Sequence, residues 1–150
     1  MLNKFVFFQL MVLFLFLSCT NNTSITKENS KGPQKAVPIN CYRYIGAKDT
    51  IALKLIHVGE SITGTLAYNM PQKNTGKGTL QGHMDGDLLF AIFTPFVDST
   101  TPRQIAFKLV QNYFIEGHGE MYMKNGQMIF KDRNDLQFND RNKLYEYKCQ

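Results

Sequence analysis

From residue 41 onward apolar and polar residues alternate, and Gly or Asn interrupts the alternation at short intervals. A period of two marks a strand with one buried face, whereas a helix would repeat at three and four. The segment 50–58 (TIALKLIHV) puts Ile51, Leu53 and Leu55 on one face. Gly59-Glu60 turns the chain, and 61–68 (SITGTLAY) then sets Ile62, Gly64, Leu66 and Tyr68 against Thr63, Thr65 and Ala67 on the other face. A polar loop over 69–75 leads to a strand over 77–84, and Asp85-Gly86-Asp87 turns it into 88–93 (LLFAIF). A loop over 97–102 (VDSTTP) precedes strands over 103–110 (RQIAFKLV) and 113–124 (YFIEGHGEMYMK), the second read as one long strand. Asn125-Gly126 turns that strand into 127–131, and 42–45, 136–138 and 144–149 supply shorter ones. Asp-Gly and Asn-Gly between alternating runs are strong hairpin signals because they accept positive φ. LLFAIF is apolar on both faces, which predicts burial on both sides beneath a covering loop.

Roughly eight to ten strands joined by short hairpins predict an all-β fold: an up-and-down antiparallel meander closing into a small barrel of about eight strands, lipocalin-like in architecture. Closure removes the edges that an open sheet of this size would expose. The cysteines fit closure. Cys41 opens the domain and Cys149 is the penultimate residue, and once Cys19 is set aside they are a pair in an exported chain, most simply a disulfide. Free or intermolecularly paired thiols are the alternative.

The N-terminal segment gives an address. Residues 1–4 are short and basic, and 5–17 (FVFFQLMVLFLFL) are apolar except for Gln9. That run is shorter than the about 20 residues a spanning helix needs, and it has the length of a signal-peptide core followed at once by Ser18 and Cys19. LFLSC resembles a bacterial lipobox, with Phe16 where Leu, Val or Ile is usual. The resemblance implies a signal peptide over 1–18 and acylation of Cys19. The other reading is a plain secretory signal cut elsewhere, with Cys19 incidental. Residues 20–40 (TNNTSITKENSKGPQKAVPIN) are too polar to bury a core and read as a flexible tether, so 19–40 form the anchor and 41–150 the domain. No acidic run follows Cys19, which favours a periplasm-facing outer-membrane lipoprotein.

The whole chain carries a formal net charge of +5, scattered rather than gathered on one face, so no nucleic-acid partner is indicated. Among candidate sites, Glu116, His118 and Glu120 would share one strand face and offer carboxylate and imidazole ligands to a metal. Successive same-face residues lie nearly 7 Å apart, however, which is awkward for one ion. A polar stripe backed by Gly117 and Gly119, which let a ring or backbone approach, explains the same residues. His57 and His83 read as surface or turn residues, and Asp85 and Asp87 as turn formers without the rest of a calcium loop. No G-x-S-x-G elbow, P-loop or dinucleotide fingerprint is present, so no enzyme and no cofactor are expected. Tyr42, Tyr44, Tyr68, Phe90 and Phe93 form a candidate aromatic cavity lining.

The domain resembles an uncharacterised family of small Bacteroidetes lipoproteins. The likeness rests on Cys41-Tyr42-Arg43-Tyr44 with Asp49-Thr50, Gly64-x-Leu66-x-Tyr68, Gly78-Thr79-Leu80-x-Gly82, Gly86-Asp87-x-Leu89, Arg103-x-x-Ala106-Phe107, Glu116-Gly117-x-Gly119-Glu120 and Cys149. Where the family carries Glu-Gly before Arg103 this chain has Asp98-Ser99, and His118 stands where Tyr is common. The resemblance implies the lipid anchor and a small barrel, and no activity. The expected function is a lipid-anchored, monomeric envelope binding module, non-catalytic, for a small apolar ligand or an envelope protein. An inhibitor of a lytic enzyme, inserting the loop 69–75 or 97–102, is the second expectation, and a metal protein the third.

Overall fold

The computed structural model describes residues 37–71, 74–97 and 100–150, and the expected signal peptide, Cys19 and most of the expected tether lie outside them. Eleven strands and no helix run through the described residues: β1 (Ile39–Ile45), β2 (Thr50–Val58), β3 (Ser61–Met70), β4 (Asn74–Asp85), β5 (Leu88–Pro95), β6 (Arg103–Val110), β7 (Tyr113–His118), β8 (Met121–Lys124), β9 (Gln127–Phe130), β10 (Gln137–Phe138) and β11 (Leu144–Tyr147). The expected hairpins turn where the sequence allows a left-handed backbone, with φ of 62° at Gly59, 59° at Gly86, and 49° and 77° at Asn125 and Gly126.

Strands β1 to β7 pair in sequence order, each antiparallel to the next. After an excursion through β8, β9 and β10, β11 returns between β7 and β1, with Leu144 opposite Phe114 and Cys41 opposite Tyr147. The ring β1–β7 plus β11 is thus a closed eight-stranded barrel. The Cys41–Cys149 disulfide joins its ends across a Cα–Cα distance of 5.4 Å. Both the barrel and the bridge follow the expectation from the sequence.

Alternation decides what is inside. The inward parity of β2 and β3 supplies Ile51, Leu53, Leu55, Ile62 and Leu66, and later strands add Leu80, Leu89, Phe107 and Leu144, all almost fully buried. Each such side chain contributes roughly 1.5–3 kcal/mol when buried. Gly64 sits on the same parity, where a Cβ would collide with the Lys54 carbonyl of the neighbouring strand, so only glycine admits that close backbone approach.

A second, smaller cluster lies outside the barrel. Phe90 and Ala106 point outward from β5 and β6 and are covered by Phe130, Leu136, Met121 and Phe138. The covering loop that LLFAIF predicts is therefore the β8–β9 hairpin and the segment that follows it. The hairpin is held to β6 by a parallel bridge between Arg103 and Met128, and the Phe130 N–H donates to the buried Gln104 Oε1 at 3.2 Å.

The long strand expected over 113–124 is instead two, broken at Gly119-Glu120. The cover explains the break. A Cβ on Gly117 would lie 2.6 Å from the Phe138 ring, and one on Gly119 2.8 Å from Leu136, so both glycines clear space for the crossing segment. They serve as the close-approach sites that the sequence allows.

Candidate functional site: the barrel mouth

The two ends of the barrel differ in their connections. At one end, the base, β2–β3, β4–β5 and β6–β7 are joined by tight turns and the disulfide closes the wall. At the other, the mouth, longer connections join β1 to β2, β3 to β4 and β5 to β6. The inward parity that carries leucines through the middle brings Tyr68 from β3, Arg103 from β6 and Glu116 from β7 to the mouth.

The Tyr68 hydroxyl donates to Glu116 Oε1 at 2.5 Å. The Arg103 guanidinium carbon lies 5.4 Å from the Tyr68 ring centroid and 5.5 Å from that of Phe93, so the cation rests against two aromatic rings. These residues border a cleft of about 320 Å³, whose apolar wall is Met70, Ile105, Met121 and Phe130 and whose rim includes His118 and Asn142. A smaller recess of about 110 Å³ lies on the far side of Arg103, beside Phe93, Thr75 and Thr101.

Burial pushes the Glu116 carboxyl above the ordinary glutamate value, against the opposing pull of the Tyr68 hydrogen bond, His118 and Arg103. Burial, and after it the Glu116 charge, holds the Tyr68 hydroxyl well above the usual tyrosine value, so Tyr68 remains a donor at neutral pH. The mouth therefore presents a fixed cation, a carboxylate whose charge is costly, and a neutral phenol, all beside an apolar wall.

The expected sites fall in different places. Of the five aromatics, Tyr68 and Phe93 reach the mouth, with their rings edge-to-face at 6.2 Å. Tyr42 packs edge-on against Phe114 at 4.8 Å in the filled interior, and Tyr44 packs beside that core. Phe90 corrects the expectation: it faces outward, under the Arg133 guanidinium at 4.7 Å and against Phe130 and Leu136. Glu116 and His118 both line the cleft, whereas Glu120 lies beyond the strand break and pairs with Lys131. Among the described residues no three His, Cys, Asp or Glu side chains gather as metal ligands would. His57 and His83 line a shallow groove with Glu60 at the base, and Asp87 pairs with Lys108 at 3.7 Å.

Arg103 was not among the expected site residues. Its signal was present: it shares parity with Ile105 and Phe107, so an arginine stands where the pattern calls for an apolar residue. Compared with known proteins, the chain matches no family model, and no curated protein or solved structure matches it significantly.

Proposed function

We propose that the protein is a non-catalytic binding module of the cell envelope, anchored through a lipid on Cys19 and facing the periplasm as a monomer. The lipobox-like LFLSC and the likeness to small Bacteroidetes lipoproteins support the address. The observation that carries the binding reading is the mouth: a barrel otherwise filled by its own leucines and phenylalanines opens into a cleft where Tyr68, Arg103 and Glu116 converge. Apolar walls with a few convergent polar groups are the usual makeup of a small-molecule site.

Native mass spectrometry of the lipoprotein, extracted gently from its own envelope, tests this. The expected spectrum shows an acylated chain beginning at Cys19 with a discrete adduct that is lost on denaturation. A bare acylated monomer would overturn the binding reading, and an unacylated chain would overturn the anchor.

A second reading is favoured by Phe96 and Val97, which stand exposed after β5 at the mouth. In that reading the rim docks in the cleft of a lytic enzyme and inhibits it. Inhibition of a purified lysozyme, lost in Phe96→Ser, supports it, and unaffected lysis removes it.

A further inference from the structure

We propose that the mouth recognises a small zwitterion of the amino-acid class, with its ammonium on Glu116, its carboxylate on Arg103 and an apolar side chain against Met70, Ile105 and Phe130. This deepens the binding-module reading and rests on it. Three features of the cleft carry the assignment.

The first is that opposite charges stand at the cleft without satisfying each other. Among the described residues the ion pairs are Lys108–Asp87, Lys131–Glu120 and Lys143–Asp140, and neither Arg103 nor Glu116 has a charged partner within 4.0 Å. A ligand carrying only an anion would meet Glu116, and one carrying only a cation would meet Arg103. A molecule with both charges offsets both.

The second is that each group keeps binding capacity. Arg103 rests on the Tyr68 and Phe93 rings and its guanidinium also acts on the Tyr68 hydroxyl, an engagement that leaves most of its five N–H donors for a ligand. Glu116 receives the Tyr68 hydroxyl on Oε1, its one hydrogen bond among the described residues. No buried side-chain oxygen there lacks a partner, so the second carboxylate oxygen opens on the cleft. Tyr68 in turn fixes the carboxylate plane, which lowers the ordering cost of binding.

The third is size. About 320 Å³ lies at the small end of ligand sites. Below it Leu66, Leu89 and Phe107 are 0% exposed, so the interior is filled and no long acyl chain can descend into the barrel. The apolar wall is confined to the cleft, enough for one side chain.

The test is isothermal titration of the full lipidated protein in detergent with L-phenylalanine, N-acetyl-L-phenylalanine and L-phenylalaninamide at neutral pH. The free amino acid should bind at least about tenfold more tightly than either blocked form, because each block removes one charged hydrogen bond. Glu116→Gln should abolish the preference over the N-acetyl form, and Arg103→Gln the preference over the amide. The wild-type comparison stands alone if a variant fails to fold. Equal binding of all three probes overturns the zwitterion assignment and leaves an apolar binding site. No binding of any probe also overturns it. An adduct lost on denaturation in the native spectrum would then preserve the binding module, and its absence would remove that reading too.

Discussion

At the base of the barrel, Tyr42 packs edge-on against Phe114, Leu144 is fully buried opposite, and the disulfide ties the first strand to the end of the chain. At the mouth, the same inward parity carries Tyr68, Arg103 and Glu116, and the wall includes an open cleft. One end removes apolar surface from water, while the other holds polar groups where burial penalises charge. The contrast teaches that burial acts in opposite senses at the two ends, stabilising the apolar base while opposing the charge of Glu116 at the mouth.

The disulfide offers the hardest test of that division. It closes a loop with a sequence separation of 108. On the chain-entropy argument a crosslink of that span stabilises by about 4–5 kcal/mol. Cys41→Ser should therefore lower the urea midpoint sharply, and adding a reductant to the wild type should reproduce the drop. A wild-type midpoint unmoved by reduction would mean that the base is not the end that holds the barrel together.

A smaller effect is expected at Gly117, where the outer cover meets the mouth. A Cβ there would press on the Phe138 ring at 2.6 Å. Such overpacking costs typically about 1–3 kcal/mol, and displacing Phe138 would uncover Phe90 and Phe130. Gly117→Ala should lower the unfolding temperature modestly and raise binding of an apolar dye. Unchanged stability and dye binding would show that the cover yields freely and that the cleft wall does not depend on it.

Much of this arrangement was legible in the chain because strand parity is a local property. Ile51, Leu53, Ile62 and Leu66 face inward as their alternation requires, and the hairpins at Gly86 and Asn125-Gly126 follow from residues that accept positive φ. LLFAIF announced its cover. Grouping Phe90 with Phe93 broke the same rule, since residues three apart on a strand face opposite sides. Parity also marks Arg103, through Ile105 and Phe107, and Glu116, through Phe114. What parity cannot supply is the meeting of Tyr68 with Glu116. They are 48 residues apart, on β3 and β7, which are not neighbours in the sheet and face each other across the closed barrel. The break at Gly119 was hidden for a similar reason, because it answers to Leu136, a residue of the cover rather than of the strand.

The smallest effect is also the one whose sign separates the two ends. Burial holds the Glu116 carboxyl above its ordinary value of 4.5, so the folded protein binds its proton more readily than the unfolded chain does. Stability then rises as pH falls through the raised folded value, and the gain is complete once pH drops below the unfolded one. Above that window the ionised carboxylate is a net cost. Glu116→Gln keeps an oxygen for the Tyr68 hydroxyl and removes the charge. It should therefore stabilise the protein at neutral pH, by on the order of 1 kcal/mol as single stabilising substitutions commonly do. The advantage should shrink as pH falls and vanish below the ordinary glutamate range, where both proteins are neutral at this position. His118 and Arg103 line the cleft in both proteins, so the difference between their denaturation curves across pH isolates Glu116. A variant less stable than the wild type at neutral pH would show that the Tyr68 bond outweighs the desolvation of the carboxylate. The mouth would then add to the stability of the barrel instead of drawing on it.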